Sequence, residues 1–281
     1  MTDEMFESAL RSSTVLLALL VGMIPGGALA ADWPSRVVAK YDVTFAGFRV
    51  GSLKFRSDVG ANRYTLAGEA KVSAVFGAFK WQGKTRSSGR AARNSPRPAK
   101  YTFNYRSNSK SGSVRMAFQK GHIVRNEVVP YKPYSRKHAP LRAEHMQGVF
   151  DPISAVMALT RVSGAHPCKR RIPIFDGKQR FDLVLSPAGR ARVKESQPSG
   201  QPELAYVCRV KYVPIGGYKK NRQTKYMAKN NGMRLILRAV PSAQIFVPYQ
   251  VRVPTIAGEA VLTSRSIDII TAKRQRIALV H

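Results

Sequence analysis

The sequence predicts an all-β fold, mainly antiparallel, in which about thirteen strands form a curled sheet, β-spiral or half-barrel around one central α-helix. Two observations carry this. Almost every long segment alternates apolar and polar residues with a period of two, the mark of a half-buried strand. One segment, residues 151–162 (DPISAVMALTRV), does not alternate and is apolar nearly all round. A helix of that kind has to be covered by other elements.

The alternation begins at Val37, Ala39, Tyr41, Val43 and Phe45, and residues 46–51 (AGFRVG) read as a glycine-punctuated turn or bulge. Leu53 and Phe55 continue a second strand, Tyr64 to Val72 a third, and Phe79 with Trp81 a fourth. Residues 87–98 (SSGRAARNSPRP) read as a basic loop. Tyr101 to Tyr105, Val114 to Phe118 and Ile123 to Val129 follow as strands, a meander with short turns rather than a βαβ chain. Residues 130–148 have three prolines and no periodicity, a connection long enough to suggest a functional or mobile segment. Asp151 is a good N-cap and Pro152 occupies the favoured first helical position, with Ser163-Gly164 as the stop. Beyond it, Ile172 to Phe175 turns at Asp176-Gly177 and returns through Phe181, Leu183 and Leu185. Tyr206, Cys208, Val210 and Tyr212 share one face, residues 213–220 read as a turn, and three further strands span 233–240, 245–253 and 260–270.

The 281 residues are 44% hydrophobic and 22% charged, enough for a substantial core. Lys and Arg number 47 against 16 Asp and Glu, a net charge of +31, which favours contact with polyanions. The first thirty residues redirect that reading from nucleic acid to the cell envelope. Arg11, an apolar run from Ser12 to Leu29 broken at Pro25-Gly26-Gly27, and Ala28-Leu29-Ala30 have the layout of a cleavable signal peptide. The n-region carries Asp3, Glu4 and Glu7, which a start at Met5 in place of Met1 would improve. The expected organisation is a signal peptide over 1–30 and a single periplasmic β-rich domain over 31–281, a monomer with no membrane span after cleavage. Cleavage removes three acids and one base and raises the net charge to +33. In an oxidising compartment Cys168 and Cys208 are expected to form a disulfide, with two buried thiols as the alternative.

No nucleophile elbow, zinc-protease motif, phosphate loop or dinucleotide fingerprint is present in the sequence. The five His are scattered through loops and strand ends. No catalytic, metal or cofactor residues are therefore assigned. The candidate anion-binding surface combines Lys132, Arg136, Lys137 and Arg142 of the long connection with Lys169, Arg170 and Arg171 after the helix. Cationic rows on strands, among them Lys80, Lys84 and Arg86 and also Arg234 and Arg238, point the same way. The partners this implies are anionic envelope polymers or lipid headgroups and other envelope proteins, with no nucleic acid expected.

Several motifs resemble the bacterial exported family known as domain of unknown function 3108. They are Tyr41-Asp42-Val43 with Phe48-Arg49-Val50-Gly51, then Phe150-Asp151-Pro152-Ile153-Ser154, then Ile174-Phe175-Asp176-Gly177 with Arg180-Phe181. Cys208 with Tyr212 and Ile215-Gly216-Gly217-Tyr218-Lys219, and finally Val247-Pro248 and Pro254, continue the series. The resemblance implies a β-rich periplasmic protein without an assigned active site. By looser analogy the chain looks like β-spiral envelope-integrity proteins and like half-barrel lipoprotein carriers, in which strands curl around helix. The leading functional expectation is a non-enzymatic envelope-integrity or binding protein. The alternatives are a carrier of a lipid or acylated ligand in the hollow of the sheet, and a hydrolase of an anionic envelope glycan or lipid.

Overall fold

The computed structural model describes residues 33–74, 77–92, 95–161 and 166–281, so the signal-peptide expectation over 1–30 and the helix stop at Ser163-Gly164 lie outside the described residues. The described chain is one fourteen-stranded antiparallel sheet with two α-helices. The strands are β1 (Arg36–Phe45), β2 (Phe48–Val59), β3 (Arg63–Ala74), β4 (Phe79–Ala91), β5 (Pro96–Ser107), β6 (Ser111–Gln119) and β7 (His122–Val129). After helix α1 (Pro152–Thr160) come β8 (Arg170–Phe175), β9 (Arg180–Arg192) and β10 (Leu204–Gly216). Helix α2 (Arg222–Lys229) precedes β11 (Arg234–Val240), β12 (Ile245–Thr255), β13 (Gly258–Ile270) and β14 (Arg276–Val280).

The strand order is two meanders joined through β1 and β13. One runs from β7 back to β1, the other from β13 back to β8, and β14 adds to β13. Because every pairing is antiparallel, the turns alternate between two rims. The first rim carries the β1–β2, β3–β4, β5–β6, β8–β9 and β12–β13 turns together with α2. The second carries the β2–β3, β4–β5, β9–β10 and β11–β12 connections.

The expected thirteen strands become fourteen because β14, a short C-terminal edge, was not counted. Other differences follow from alternation continuing through residues that look like loop. Within 46–51 only Ala46 and Gly47 form the turn. Both take positive φ (47° and 86°), as a two-residue hairpin of primed type needs. Of the supposed basic loop, Ser87 to Ala91 belong to β4 and Pro96 to Pro98 to β5. Its small polar residues are tolerated because the inward positions of β4 (Gly83, Thr85, Ser87, Gly89) face a crowded interior. Similarly, β10 runs through Val213 to Gly216 before the chain turns.

Helix α1 ends at Thr160, shorter than the expected 151–162. Its start matches the reading: Asp151 is extended and its carboxylate accepts from the backbone N–H of Ile153 and Ser154 at 3.1 and 2.9 Å. Its apolar circumference is used on two sides. Ile153 and Met157 pack with Tyr64, Leu66 and Tyr101 of β3 and β5. Ala155 and Leu159 pack with Ile172, Leu185 and Leu235 of β8, β9 and β11. The C-terminal carbonyls of Ala158 and Arg161 accept from the Arg170 guanidinium at 2.8 and 2.7 Å, satisfying groups a helix end leaves open.

Arg238, read above as part of a cationic surface row, is instead fully buried. Its guanidinium donates to Glu195 at 2.5 Å, to the carbonyls of Pro202 and Gln201, and to His281 Nε2 at 3.3 Å. A buried charge demands this completeness of pairing. The interaction holds the long β9–β10 connection and the C-terminal residue to β11. Because arginine can only donate, Nε2 accepts and the ring proton sits on Nδ1, facing Ser264 Oγ at 3.0 Å.

Burial, and then the Arg238 charge, push the His281 pKa down to about 4. A folded pKa below the unfolded value gives stability that is present above the usual histidine range and lost as pH falls from about 6.5. His281→Gln, which can still accept from Arg238, is expected to flatten the fall in urea midpoint between pH 7 and pH 5. Carboxylates with ordinary pKa values contribute little in that window, and those raised by burial act in the opposite direction. Parallel pH profiles for variant and wild type would exclude His281 as the source.

Candidate functional site

Small residues occupy inward positions on β1, β3 and β4: Ala39, Gly68, Ala70 and Gly83. A Cβ on Gly68 would lie 3.1 Å from Ile153 Cδ1, and one on Gly83 would lie 2.5 Å from the Trp81 ring. These glycines therefore let the helix and an indole lie directly on the sheet. The remaining space is a cavity of about 580 Å³, within the range of small-molecule sites.

The cavity wall is overwhelmingly apolar. Leu53, Phe55, Trp81, Phe103, Val251 and Leu262 are among its aromatic and aliphatic lining. The α1 residues Pro152, Val156 and Thr160, spaced by four, run along it and are only half-buried, the one side of the helix not packed on strands. Toward the second rim Trp33 lines the cavity. Its indole N–H donates to the Ala92 carbonyl at 3.0 Å, and the Arg161 guanidinium lies 4.8 Å from the ring centroid. Toward the first rim the wall includes Asp176 and Lys178 of the β8–β9 turn.

Two carboxylates lie at or beside this interior, and both are engaged in holding the fold. Asp151, with none of its surface exposed, accepts through Oδ2 from the hydroxyls of Ser87 and Ser154 at 2.9 and 2.6 Å. Tyr64 completes the cluster 2.9 Å from Ser154 Oγ. Burial raises the Asp151 pKa against the opposing effect of these hydrogen bonds. Asp176 is raised by burial likewise, and its oxygens accept from the backbone N–H of Lys178 and Gln179 and from the Gln179 amide. Each carboxylate is thus the acceptor of a helix cap or a turn. Among the described residues no three His, Cys, Asp or Glu side chains gather as a metal site.

The sequence-derived anion surface is divided by the fold. Lys132, Arg136 and Lys137 are exposed on the long connection, which docks on the first rim. Tyr134 donates to the Lys178 carbonyl, the Ala139 N–H to Tyr218 O at 2.9 Å, and the Lys220 N–H to Lys137 O at 2.7 Å. Arg142 pairs with Glu144 at 3.4 Å. Lys169, Arg170 and Arg171 lie at the opposite end of β8, roughly 20 Å away at the rise of a six-residue strand. There Arg170 is half-buried, its pKa lowered by desolvation, and it caps α1. Arg171 reaches the buried carboxylate of Asp182 at 2.5 Å, which Arg180 also holds at 2.5 Å. Among the described residues only Lys169 of this trio has no such structural task, and it stands exposed. Sequence reasoning offered a ligand-holding hollow only as an alternative and assigned to it none of the residues that line the cavity. The signal available was the run of small residues at inward positions, beginning with Gly68 and Ala70 after the bulky Tyr64 and Leu66.

Cys168 and Cys208 are bridged, with Cα atoms 5.2 Å apart and both sulfurs buried under the C-terminal half of α1. No helix among the described residues is long and apolar enough to cross a membrane, which says nothing about strands.

Among curated proteins none matches the sequence. A solved structure from Brucella abortus, titled as a beta-barrel-like protein of domain of unknown function DUF1849, aligns with 85% of this chain and 99% of its own. The identity is 9% and the TM-score 0.48. The family model described as protein of unknown function DUF3108 matches residues 40–263, most of the chain, with β2 to β12 in full and parts of β1 and β13. The chain belongs to the DUF3108 family of proteins of unknown function.

Proposed function

We propose that this protein is an exported, non-enzymatic carrier that holds the apolar part of a lipid or acylated molecule inside its curled sheet. The observation that carries the reading is the cavity of about 580 Å³ with its nearly continuous hydrocarbon and aromatic wall. A space of that size lined by leucine, phenylalanine and tryptophan excludes most polar ligands by desolvation and favours an alkyl chain. In this reading the sheet wraps α1, which closes the second-rim half of the hollow. The polar head of the ligand then lies at the first rim, near Asp176 and Lys178.

Of the three functions expected from sequence, the carrier gains most from the geometry. The carboxylates nearest the cavity are already committed to capping, which supplies no free pair for glycoside hydrolysis. Envelope integrity would follow as the physiological consequence of moving or sequestering such a ligand in the periplasm, and the buried disulfide suits that compartment.

Protein purified from an exporting host and extracted under denaturing conditions is expected to release a stoichiometric amphiphile by mass spectrometry. A fluorescent fatty-acid probe should bind the stripped protein. Val156→Trp, which places an indole from the half-buried face of α1 into the cavity, should lower that affinity by at least about tenfold while the unfolding midpoint changes little. Probe affinity unchanged in Val156→Trp, together with no extractable amphiphile, would remove the cavity from the argument.

A further inference from the structure

We propose that the first rim docks on the surface of an anionic phospholipid bilayer, through apolar anchors on three consecutive hairpin turns flanked by the cationic face of α2. This does not depend on what the cavity holds. It concerns the outside of the molecule.

The large hydrophobic side chains most exposed among the described residues are not scattered. Phe48, Phe79, Val129, Tyr131, Tyr134 and Ile256 all sit at the first rim, whereas only Val124 and Leu204 lie toward the second. Phe48 is 76% exposed at the β1–β2 turn, Phe79 is 47% exposed at the start of β4, and Ile256 is 48% exposed in the β12–β13 turn. These three turns are neighbours. Two strands separate each from the next, a spacing of roughly 10 Å, and the Ala46 N–H donates to Glu259 O at 2.9 Å, tying the first to the third. Among the described residues nothing covers them. Three large apolar groups at the tips of turns offer little area to a protein partner, but they match insertion into the headgroup region of a bilayer.

The charge around these anchors selects which bilayer. Arg222, Lys225 and Lys229 are exposed along one side of α2 with half-buried Tyr226 beside them, while Met227 points away from that side and packs half-buried against the core. Lys225, Lys229 and Ile256 line one shallow hollow, which puts cations beside the anchor. The acidic residues nearby are already compensated: Asp42 pairs with Arg49 at 2.6 Å and Glu259 with Arg252 at 2.6 Å. The α2 cations are left to face outward in a chain of net charge +31, and such cations draw a protein to anionic headgroups. Docked this way, the rim that carries Asp176 and Lys178 of the cavity wall faces the membrane.

A protein this basic will adhere to any anionic surface, so the test separates the anchors from the charge. Co-sedimentation is measured with vesicles of phosphatidylcholine alone and of phosphatidylcholine with phosphatidylglycerol, at low and at high salt. Wild type is expected to bind the anionic vesicles and to retain part of that binding at high salt. Phe48→Ser/Phe79→Ser/Ile256→Ser should lose at least about tenfold in affinity at high salt, and Val124→Ser/Leu204→Ser should stay within about twofold of wild type. Lys225→Glu/Lys229→Glu should weaken binding at low salt, and because these side chains are exposed it serves as a second variant whose fold is not at stake. Equal binding by the triple variant and wild type, with both equally sensitive to salt, would overturn the proposal in favour of non-specific charge adhesion. A triple variant that dissociates a wild-type oligomer in light scattering but binds vesicles undiminished would overturn it in favour of a second copy of the chain.

Discussion

Asp151→Ala is expected to cost about 3 kcal/mol of folding stability and to loosen α1 from the sheet, a large effect for one exchange. One carboxylate accepts four hydrogen bonds: two from the first turn of the helix and two from the hydroxyls of Ser154 and Ser87. Loss of an N-cap alone costs about 1 kcal/mol. The remainder comes from buried donors on Ile153, Ser154 and Ser87 that no water can reach. Part of the loss is offset, because burial also disfavours the carboxylate and raises its pKa. Asp151→Asn keeps an acceptor for the two backbone N–H groups, and the serine hydroxyls can rotate to accept from its amide. It is expected to cost only about 1 kcal/mol. The pH dependence distinguishes this account from a generic packing defect. A folded pKa above the unfolded one gives stability that is present at low pH and lost as pH rises through the folded value. The stability gap between wild type and Asp151→Asn should therefore widen as the solution is acidified through the carboxylate range. Urea unfolding of both proteins from neutral to acid pH measures it, and a gap that narrows would contradict the balance of forces assigned to Asp151.

That residue also marks how far the fold was legible in the chain. Asp151 and Pro152 announce a helix start from local chemistry alone, and the period-two alternation announces strands, because both signals lie within a few residues of sequence. The same holds for Asp176-Gly177, where a carboxylate beside a residue with φ of 97° makes a turn. What could not be read is what depends on the opposite wall. Ser87 looks like loop until β4 is seen to bring it to within 2.9 Å of Asp151, 64 residues away. Arg238 looks like a surface cation until residues 195–202 fold back over it. Arg170 looks like part of a basic patch, yet its use is decided by where α1 ends. Helix α2 was missed for a different reason: its eight residues give too few turns for periodicity, and only Tyr226 and Met227 carry an apolar signal. The cavity is the extreme case. Small residues at 39, 68, 70 and 83 can signify close packing or room for a ligand, and only the separation of the two meanders decides between them.

Cys168→Ala/Cys208→Ala is expected to lower stability by about 4 kcal/mol on the chain-entropy model for a 40-residue separation. The bridge does more than shorten an unfolded loop. Cys208 lies on β10, Cys168 on the chain entering β8, and β9 lies between those two strands, so the bond crosses the inner face of the sheet under α1. Two residues beyond Cys168, Arg170 caps the helix through the carbonyls of Ala158 and Arg161. Removing the bond frees the start of β8, the end strand of the sheet, and with it the group that closes the C-terminus of α1. The defect should therefore concentrate there: backbone amides of β8 and of the last turn of α1 exchange faster, while those of β3, β4 and β5 stay protected. Because both sulfurs are buried, reductant without denaturant should act slowly on the folded protein, and the full loss should emerge only after unfolding and refolding under reduction. A loss of this size is a large share of the stability of an ordinary domain, so chains folded in a reducing compartment should be the weaker population. Matching urea midpoints for oxidised and cysteine-free protein would mean that packing beneath α1 suffices without the bond. The link drawn here between the fold and an oxidising compartment would then be broken.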